Sequence, residues 1–220
     1  MTAQPPAQSS TEPRRTVVHL VRHGEVHNPD GILYGRRPGF GLSDVGREMA
    51  SGLPTFFAGR DITVLIASPL ERAQQTAEPL AAATGLSVGT DDRLIEADNA
   101  FEGQKWGYRD GIMGRIANWP KLRNPLRPSW GEPYVEIVVR MSMAVESARA
   151  AAYGHEAVLV SHQLPIWTMR LAAEGRRLWH NPKHRECALA SVTSLHFAGT
   201  ALERVEYAEP AGDRGAGVGA

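Results

Sequence analysis

The sequence predicts an α/β fold, a three-layer α/β/α sandwich with a mostly parallel central sheet. Short apolar runs of strand length recur along the 220-residue chain, helical patterns separate most of them, and two runs end abruptly in a histidine, at His23 and His162. Ligands of an open parallel sheet bind at the carboxyl ends of its strands, so these two histidines can meet at one edge. The same pattern therefore predicts both the fold class and the place of a joint site.

Five apolar runs rich in β-branched residues predict strands, because such side chains suit a pleated, buried sheet. A sixth run is weaker. The predicted strands are Val17–Val21, Thr63–Ala67, Val158–Val160, Ser191–Phe197 and Leu202–Tyr207, with Leu86–Val88 as the weaker sixth.

Four helices are predicted between the strands. The first begins after its N-cap, Ser43, because a serine hydroxyl can accept a hydrogen bond from the first free amides of a helix. Spacings of three or four residues then give this helix one apolar face. That face consists of Val45, Met49, Leu53 and Phe56.

The second helix follows Ser68 and Pro69, a cap with proline in the first turn, and Pro79 is expected to kink it or end it early. The third runs from about Pro133 to Tyr153, and the fourth follows Pro165. The predicted buried stripe of the third helix is Val135, Val138, Val139, Ser142 and Val145.

Length and composition indicate one domain at residues 16–208, since a chain of 220 residues can bury a substantial core. Residues 1–15 are rich in Pro, Gln, Ser and Thr, and residues 209–220 are mostly Gly and Ala, so both ends are expected to be disordered tails. Residues 98–132 interleave Gly and Pro with aromatic residues and lack a sustained period, which is typical of a lid over a site. An aromatic mini-core beneath a loop would have the same composition.

Charge and cysteine content exclude several classes of protein. Lysine plus arginine equals aspartate plus glutamate at 24 each, which leaves no charge excess for nucleic acid or an anionic membrane. The single cysteine, Cys187, excludes an intrachain disulfide and fits a reducing compartment. The chain has no apolar run of membrane-spanning length and no signal-peptide core, so we expect a cytoplasmic protein. A symmetric homodimer is the default expectation for its assembly.

The residues that follow the first strand suit a phosphate group. Arg22, His23, Gly24 and Glu25 place guanidinium donors beside an imidazole and a glycine that permits close approach. The arginine can bind phosphate oxygens in a bidentate manner, and a neutral imidazole can attack phosphorus. A lone histidine at a strand end is nevertheless more often structural than catalytic.

Arg72 and His162 would add positive charge at the same edge. Arg72 falls in the first turn of a helix, where a cation is disfavoured unless an anion neutralises it. A surface salt bridge is the alternative interpretation of Arg72. His162 supplies a further donor if it is protonated.

Cleavage of a phosphate ester also needs a proton for the leaving alcohol, which a carboxylic acid with a raised pKa can supply. Glu96 is the candidate acid and Glu102 is its rival, whereas Glu25 is expected to orient the pocket. Further cations could hold additional anionic groups of a substrate. They are Arg36, Arg37, Lys105, Arg109, Arg115 and Lys121.

In their order along the chain, these motifs resemble those of the histidine phosphatases, the phosphoglycerate-mutase-like superfamily. The resemblance extends from about Val17 to Phe197 and implies a phosphoglycerate mutase-like fold. Several motifs in the family's order are a specific signal. The segments that carry it are Leu20 to Glu25, Tyr34 to Gly46, Ser68 to Ala77, Gly131 to Arg140 and Val160 to His162.

Transferred residue by residue, the resemblance implies that His23 is the nucleophile and forms a phosphohistidine. It also implies that Arg22, Arg72 and His162 bind the phosphoryl group and that Glu96 donates the proton.

Two further residues complete the predicted phosphate contacts. Gly24 follows the nucleophile, and Asn28 resembles a phosphate-contacting asparagine of the family, although it lies one residue nearer His23 than is usual. The chain also departs from the family after the last histidine, because Gln163 and Leu164 stand where glycines are usual. These departures predict a reshaped pocket with the same chemistry.

We therefore expect a phosphoric monoester hydrolase of the histidine acid phosphatase and phosphoglycerate mutase-like type, acting on a small phosphorylated metabolite without metal or cofactor. A mutase and a non-catalytic phospholigand-binding module are the alternatives. Dedicated mutases resemble a Glu-Arg-His-Tyr-Gly pattern around the acid, whereas Glu96 is followed here by Ala-Asp-Asn-Ala, which favours a phosphatase. A metal hydrolase built from histidines such as His27, His180 and His184 would lack a recognisable ligand spacing.

Overall fold

The computed structural model describes residues 13–105 and 131–212. The sheet within these residues has six strands: β1 (Arg15–Arg22), β2 (Ile62–Ala67), β3 (Gly89–Thr90), β4 (Glu156–Ser161), β5 (Val192–Ala198) and β6 (Ala201–Ala208). They lie in the order β3-β2-β4-β1-β5-β6. Parallel pairing joins β3, β2, β4 and β1, whereas β5 is antiparallel to both β1 and β6. The predicted mixed fold with a mostly parallel sheet is confirmed.

Parts of the predicted organisation fall outside the described residues. These parts are residues 1–12 and 213–220 of the two tails and residues 106–130 of the predicted lid. Trp106, Tyr108, Trp119 and Trp130 are therefore not described, and neither are the cations Arg109, Arg115 and Lys121.

The described residues contain five α-helices: α1 (Asp44–Ser51), α2 (Leu53–Phe56), α3 (Glu71–Thr84), α4 (Tyr134–Ala151) and α5 (Gln163–Ala173). They form separate cores on the two faces of the sheet, because successive side chains of a strand point to opposite faces. In β4, Ala157 and Leu159 pack with α4 and α5, whereas Val158 and Val160 pack with α2 and α3. This is the predicted three-layer sandwich. None of these helices combines the length and apolar character that crossing a bilayer requires.

One strand prediction is wrong in position. Residues 86–88 do not form a strand, and β3 is instead Gly89–Thr90, which pairs with the end of β2. Leu86 and Val88 pack against the core from the loop that precedes β3. Their apolar character reflects this contact and not a place in the hydrogen-bonded ladder. The other strands lie within two residues of their predicted bounds.

The first two helices also differ from prediction in detail. Ser43 caps α1 as expected, since its hydroxyl oxygen accepts from the Gly46 amide, but Val45 lies in the first turn and is exposed. The second helix, α3, is capped by Leu70 and not by Ser68, and it continues past Pro79 to Thr84. Proline removes one hydrogen bond of a helix, and here the helix continues for a further turn beyond it.

The buried face of α4 is rotated from the predicted stripe. Val135 and Val139 are 63% and 55% exposed. The helix α5 begins at Gln163, with His162 as its N-cap, so Pro165 lies inside its first turn and not before it. The residues that α4 buries are Ile137, Met141, Ala144, Val145, Ala148 and Arg149.

Two glycines let α1 pack directly against the loop that follows β1. A Cβ on Gly46 would lie 2.0 Å from the carbonyl oxygen of Glu25, and a Cβ on Gly24 would lie 2.6 Å from the carbonyl oxygen of Gly46. Only glycine allows backbones to approach this closely. The contact fixes the loop that carries His23.

We expect Gly46→Ala to lower the free energy of unfolding by about 1–3 kcal/mol, because the added methyl group must displace a backbone carbonyl. Gly52→Ala is the matched control, since Gly52 is helical and its nearest added contact would be 3.4 Å away. Thermal melting of both variants measures the difference. Equal melting temperatures of the two variants would contradict this expectation, because they would show that the loop after β1 can move aside without a loss of stability.

Candidate active site

The two strand-end histidines meet at one edge of the sheet, as predicted. Strands β1 and β4 are parallel neighbours in which Arg22 pairs with Ser161, so the next residue of each strand emerges at the same place. The ring centroids of His23 and His162 are 5.1 Å apart, and both side chains are buried. The topology therefore explains why segments about 140 residues apart form one site.

Two buried arginines surround the histidines. Arg22 and Arg72 are 2% and 1% exposed. Their terminal nitrogens donate to neutral acceptors, Arg22 to the carbonyl of Cys187 at 2.6 Å and Arg72 to the carbonyl of Gly35 at 2.7 Å. The Nε of each arginine has no partner among the described residues. The site thus contains buried positive charge, which is costly unless an anion pairs with it.

The hydrogen bond of His23 determines which of its nitrogens carries the proton. Its Nδ1 lies 2.7 Å from the carbonyl oxygen of Gly24. A carbonyl only accepts, so Nδ1 must donate, and Nε2 of the neutral ring carries the lone pair. Burial, followed by the charges of Arg72 and Arg22, holds the pKa of His23 well below its usual value. At neutral pH this imidazole is therefore uncharged and can act as a nucleophile.

His162 is held by the residue that follows β2. Its Nε2 lies 2.8 Å from the hydroxyl oxygen of Ser68, and its buried Nδ1 has no partner among the described residues. Burial, together with the neighbouring charges of Arg72 and His23, also lowers its pKa well below the usual value. A bound phosphate would oppose this lowering of the pKa, because negative charge favours a protonated imidazole.

Glu96 lies close enough to Arg72 and Arg22 for their charges to act on its carboxyl group. Its side chain is partly exposed, and its Oε1 accepts a hydrogen bond from the Ala97 amide at 2.8 Å. Desolvation raises the pKa of Glu96 despite the opposing charges of Arg72 and other arginines. The carboxyl group therefore keeps its proton to a higher pH than an ordinary glutamate, as a general acid requires.

An ion network braces the backbone of Glu96. Arg36 donates from Nε to the Glu96 carbonyl at 2.7 Å and from Nη2 to Glu132 at 3.1 Å. Arg140 in turn holds Glu132 through two hydrogen bonds of 2.7 and 3.0 Å. Arg36 was one of the cations predicted to be available for a substrate, and the structure instead commits much of its guanidinium to positioning.

The rival acid, Glu102, contacts the loop at Gly35 and Arg36, whose Gly35 carbonyl accepts from Arg72. Its Oε1 accepts from the Arg36 amide at 2.8 Å, and a Cβ on Gly35 would lie 2.0 Å from the same oxygen. Gly35 has a φ of 45°, so glycine meets both the steric and the conformational requirement there. Glu102 thus supports the loop whose Tyr34 ring lies 4.8 Å below the Arg72 guanidinium.

The two remaining predicted residues have their polar groups engaged elsewhere. The side-chain Nδ2 of Asn28 donates to the carbonyl oxygen of Ile32 at 2.9 Å, and its Oδ1 accepts from the backbone amide of Ile32 at 3.2 Å. The Gly24 amide donates to the Thr76 hydroxyl oxygen at 3.1 Å. A phosphate contact of either residue stays a prediction. Glu25, by contrast, accepts from the N-cap hydroxyl of α1, in keeping with an orienting role.

Arg185 is a charged residue near the pocket that no sequence motif indicated. Arg185, in the connection between α5 and β5, acts electrostatically on Glu96 and Arg22. No local pattern distinguishes it from other arginines of that segment.

The described residues contain no group of three or more His, Cys, Asp or Glu side chains that could hold a metal ion. His180, a member of the alternative metal-site set, is instead bonded to Leu178 and Arg185.

Comparison with known sequences places this arrangement in context. The family model described as the histidine phosphatase superfamily (branch 1) matches residues 18–209. Rv0525, an uncharacterized protein of Mycobacterium tuberculosis (strain ATCC 25618 / H37Rv), is 57% identical over 199 residues, covering 90% of this chain and 98% of that protein. The probable phosphoglycerate mutase GpmB of Shigella boydii serotype 18 (strain CDC 3083-94 / BS512) is 29% identical over 197 residues, covering 87% and 85%.

Solved structures are similar as well. The mycobacterial glucosyl-3-phosphoglycerate phosphatase Rv2419c in complex with inorganic phosphate superposes with a TM-score of 0.69 at 26% identity, covering 90% of this chain and 99% of that one. Bacillus stearothermophilus YhfR superposes with a TM-score of 0.71 at 25% identity, covering 86% and 94%.

Inorganic phosphate is expected to raise the melting temperature through Arg72. A ligand that binds only the folded state contributes about 2.7 kcal/mol at 100 times its dissociation constant, which corresponds to several degrees here. Arg72→Gln should lose most of this rise, whereas Arg47→Gln, at an exposed arginine of α1, should keep it. Scanning calorimetry of each variant with and without phosphate measures the shift. A shift that survives Arg72→Gln would place the anion elsewhere.

Proposed function

The chain belongs to the histidine phosphatase superfamily (branch 1), and on that basis we propose that it hydrolyses phosphate monoesters without a metal, through a phosphohistidine on His23. The observation that carries the proposal is the buried imidazole of His23, bonded through Nδ1 to a carbonyl, near two buried guanidinium groups, Arg22 and Arg72, whose bonded partners are also carbonyl oxygens. A phosphate dianion would supply the missing negative charge and would present its phosphorus to the imidazole.

In the first step, Nε2 of His23 attacks phosphorus, and the bond between phosphorus and the ester oxygen breaks. The Nδ1 hydrogen bond to the Gly24 carbonyl stabilises the positive charge that grows on the ring. Glu96 gives its proton to the departing oxygen, which leaves as a neutral alcohol. The products of this step are an alcohol, a phosphohistidine and the Glu96 carboxylate.

Three residues hold the transferring phosphoryl group in this mechanism. Within the described part of the chain, Arg22 and Arg72 each have an Nε without a hydrogen-bond partner, and His162 has an Nδ1 without one. Donors that are fixed before the reaction stabilise the transition state without reorganisation, which supplies most of the rate in phosphoryl transfer.

In the second step, water attacks the phosphohistidine. The Glu96 carboxylate takes a proton from the water, the new oxygen bonds to phosphorus, and the bond between phosphorus and Nε2 breaks. The electron pair of that bond returns to Nε2, so His23 is again neutral and inorganic phosphate is released. The lowered pKa of His23 and the raised pKa of Glu96 favour the two starting forms at the same pH.

The proposed substrate is a small phosphorylated metabolite. The structural relative Rv2419c, a glucosyl-3-phosphoglycerate phosphatase by name, supports a hydrolase acting on such a compound. The sequence similarity to GpmB favours a second candidate, phosphoglycerate mutase-type transfer, in which the phosphohistidine returns its phosphate to a bound hydroxy acid. The two differ in outcome, because only the hydrolase releases inorganic phosphate.

His23→Ala should abolish turnover. With 4-nitrophenyl phosphate and excess chelator, we expect kcat to fall by several orders of magnitude, as when other catalytic nucleophiles are removed. Quenching wild type during turnover of a radiolabelled substrate should yield acid-labile phosphate on the protein, and His23→Ala should yield none.

The control for this experiment is His184→Ala, which removes an exposed histidine and should retain both signals. Near wild-type turnover by His23→Ala, with an unchanged melting temperature, would contradict the nucleophile assignment. Labelling without release of inorganic phosphate would favour the mutase.

Glu96→Gln should act selectively on poor leaving groups. An alkyl alcohol needs a proton to depart, whereas 4-nitrophenolate does not, so we expect kcat to fall by about 10²–10⁴-fold on alkyl phosphates and by less than tenfold on the aryl phosphate. Glu102→Gln is the matched comparison and should show no leaving-group dependence. If the dependence appears in Glu102→Gln instead, Glu102 is the acid.

A further inference from the structure

Arg185 is a cation for which the proposed phosphoryl transfer has no use. It is partly buried, and desolvation lowers its pKa. Its Nε donates to Nε2 of His180 at 2.9 Å, and its Nη1 lies 3.4 Å from Oε1 of Gln163. Both partners are neutral. No carboxylate of the described residues forms an ion pair with Arg185, so its charge remains available to a ligand.

The contacts of His180 give Arg185 a defined position. The Nδ1 of His180 lies 2.7 Å from the Leu178 carbonyl and must donate to it, which leaves Nε2 as the acceptor for Arg185. The His180 ring also lies 5.4 Å from the Tyr134 ring and 6.0 Å from that of Trp167. The guanidinium is therefore hydrogen-bonded to a histidine ring that itself packs against two aromatic rings, unlike a solvated surface arginine.

Arg185 lies close enough to Glu96 and Arg22 for its charge to act on both. In the proposed mechanism, Glu96 hands its proton to the leaving oxygen. A cation that acts on Glu96 is therefore placed to contact the alcohol part of the substrate.

Gln163 links this cation to the phosphate-binding residues. The Cys187 carbonyl accepts from Arg22 at 2.6 Å and from the Gln163 amide at 3.4 Å, while the other end of Gln163 reaches Arg185. Gln163 stands where the histidine phosphatase pattern has glycine, which has no side chain to make this link. The residue at which the sequence departs from the family pattern, Gln163, is thus the one that contacts Arg185.

We propose that Arg185 forms a second anion subsite on the leaving-group side of the pocket, so that the substrate is a phosphate monoester whose alcohol part carries a carboxylate or a second phosphate. A guanidinium recognises both groups through paired hydrogen bonds. The assignment of the leaving-group side rests on the proposed function. The presence of an anion subsite does not, and it is tested separately by binding.

The kinetic test compares three aryl substrates that share a leaving group type: phenyl phosphate, 3-carboxyphenyl phosphate and benzene-1,3-diyl bisphosphate. Arg185→Gln should lower kcat/KM on one or both of the doubly anionic substrates by about 10- to 100-fold, chiefly through KM, and should change phenyl phosphate by less than threefold. Arg185→Lys should recover part of the loss. Which substrate is affected distinguishes a carboxylate from a phosphate.

The matched control is Arg177→Gln, which removes the same charge from an exposed position of the same connection and should behave as wild type. An equal loss on all three substrates would overturn the proposal, because it would place Arg185 at the phosphoryl group or in support of Glu96. No loss on any substrate would also overturn it. Melting temperatures identify variants that fail to fold.

The binding test uses probes that cannot be hydrolysed, benzylphosphonate, 3-carboxybenzylphosphonate and benzene-1,3-diylbis(methylphosphonate), with calorimetry on wild type and Arg185→Gln. Tighter binding of one of the doubly anionic probes to wild type, lost in Arg185→Gln, supports the subsite even if no substrate is turned over. Binding of this kind without turnover of any substrate would contradict the proposed function and still support the anion subsite. Equal binding of all three probes to wild type overturns the subsite, whatever the turnover.

Discussion

The burial of two guanidinium groups, neither of which forms an ion pair with a carboxylate among the described residues, is the constraint on which the site depends. Removing an ion from water costs several kcal/mol even after relaxation, so Arg22 and Arg72 must be held by other means. Backbone carbonyls of Cys187 and Gly35 accept their hydrogen bonds, and the Tyr34 ring lies against Arg72. These contacts are neutral. They keep the arginines in place and leave their charge for an anion.

The same positive charge adds to burial in lowering the pKa of the neighbouring imidazoles. His23 and His162 are buried beside the arginines, and both burial and charge lower their pKa. The uncharged form of His23, with its Nδ1 proton directed to the Gly24 carbonyl, is therefore favoured first by burial and then by the arginines. When a phosphate neutralises the arginines, the imidazoles lose much of this electrostatic penalty, which couples binding of the anion to the charge that develops on the ring.

The residues around Glu96 come from segments that are far apart along the chain. Glu96 follows a short turn after β3, yet its carbonyl is held by Arg36, which is in turn paired with Glu132 at the start of α4. Arg185 arrives from the connection between α5 and β5. The proposed phosphoryl side is thus built on strand ends and helix starts, whereas the proposed leaving-group side is built on connecting segments, where members of one fold can differ most freely.

The sequence by itself determined the positions of β1, β2, β4, β5 and β6 to within two residues, and the residues that meet at the strand ends. That these residues bind phosphate stays a prediction. Strand ends and the first turn of a helix are local features, so the positions of His23, Arg72 and His162 followed from runs of a few residues. The fold class followed from the same runs, because a buried parallel strand such as β4 must be apolar on both faces.

Only the tertiary structure decided the features that depend on neighbours far along the chain. The buried face of α4 is set by what packs on it, so Val139 is exposed where helical spacing predicted burial. The tautomer of His23, the brace on Glu96 and the placement of Arg185 each depend on partners that periodicity does not reveal. Local patterns report the conformation of a segment, whereas desolvation and hydrogen bonding act between whichever segments the sheet brings together.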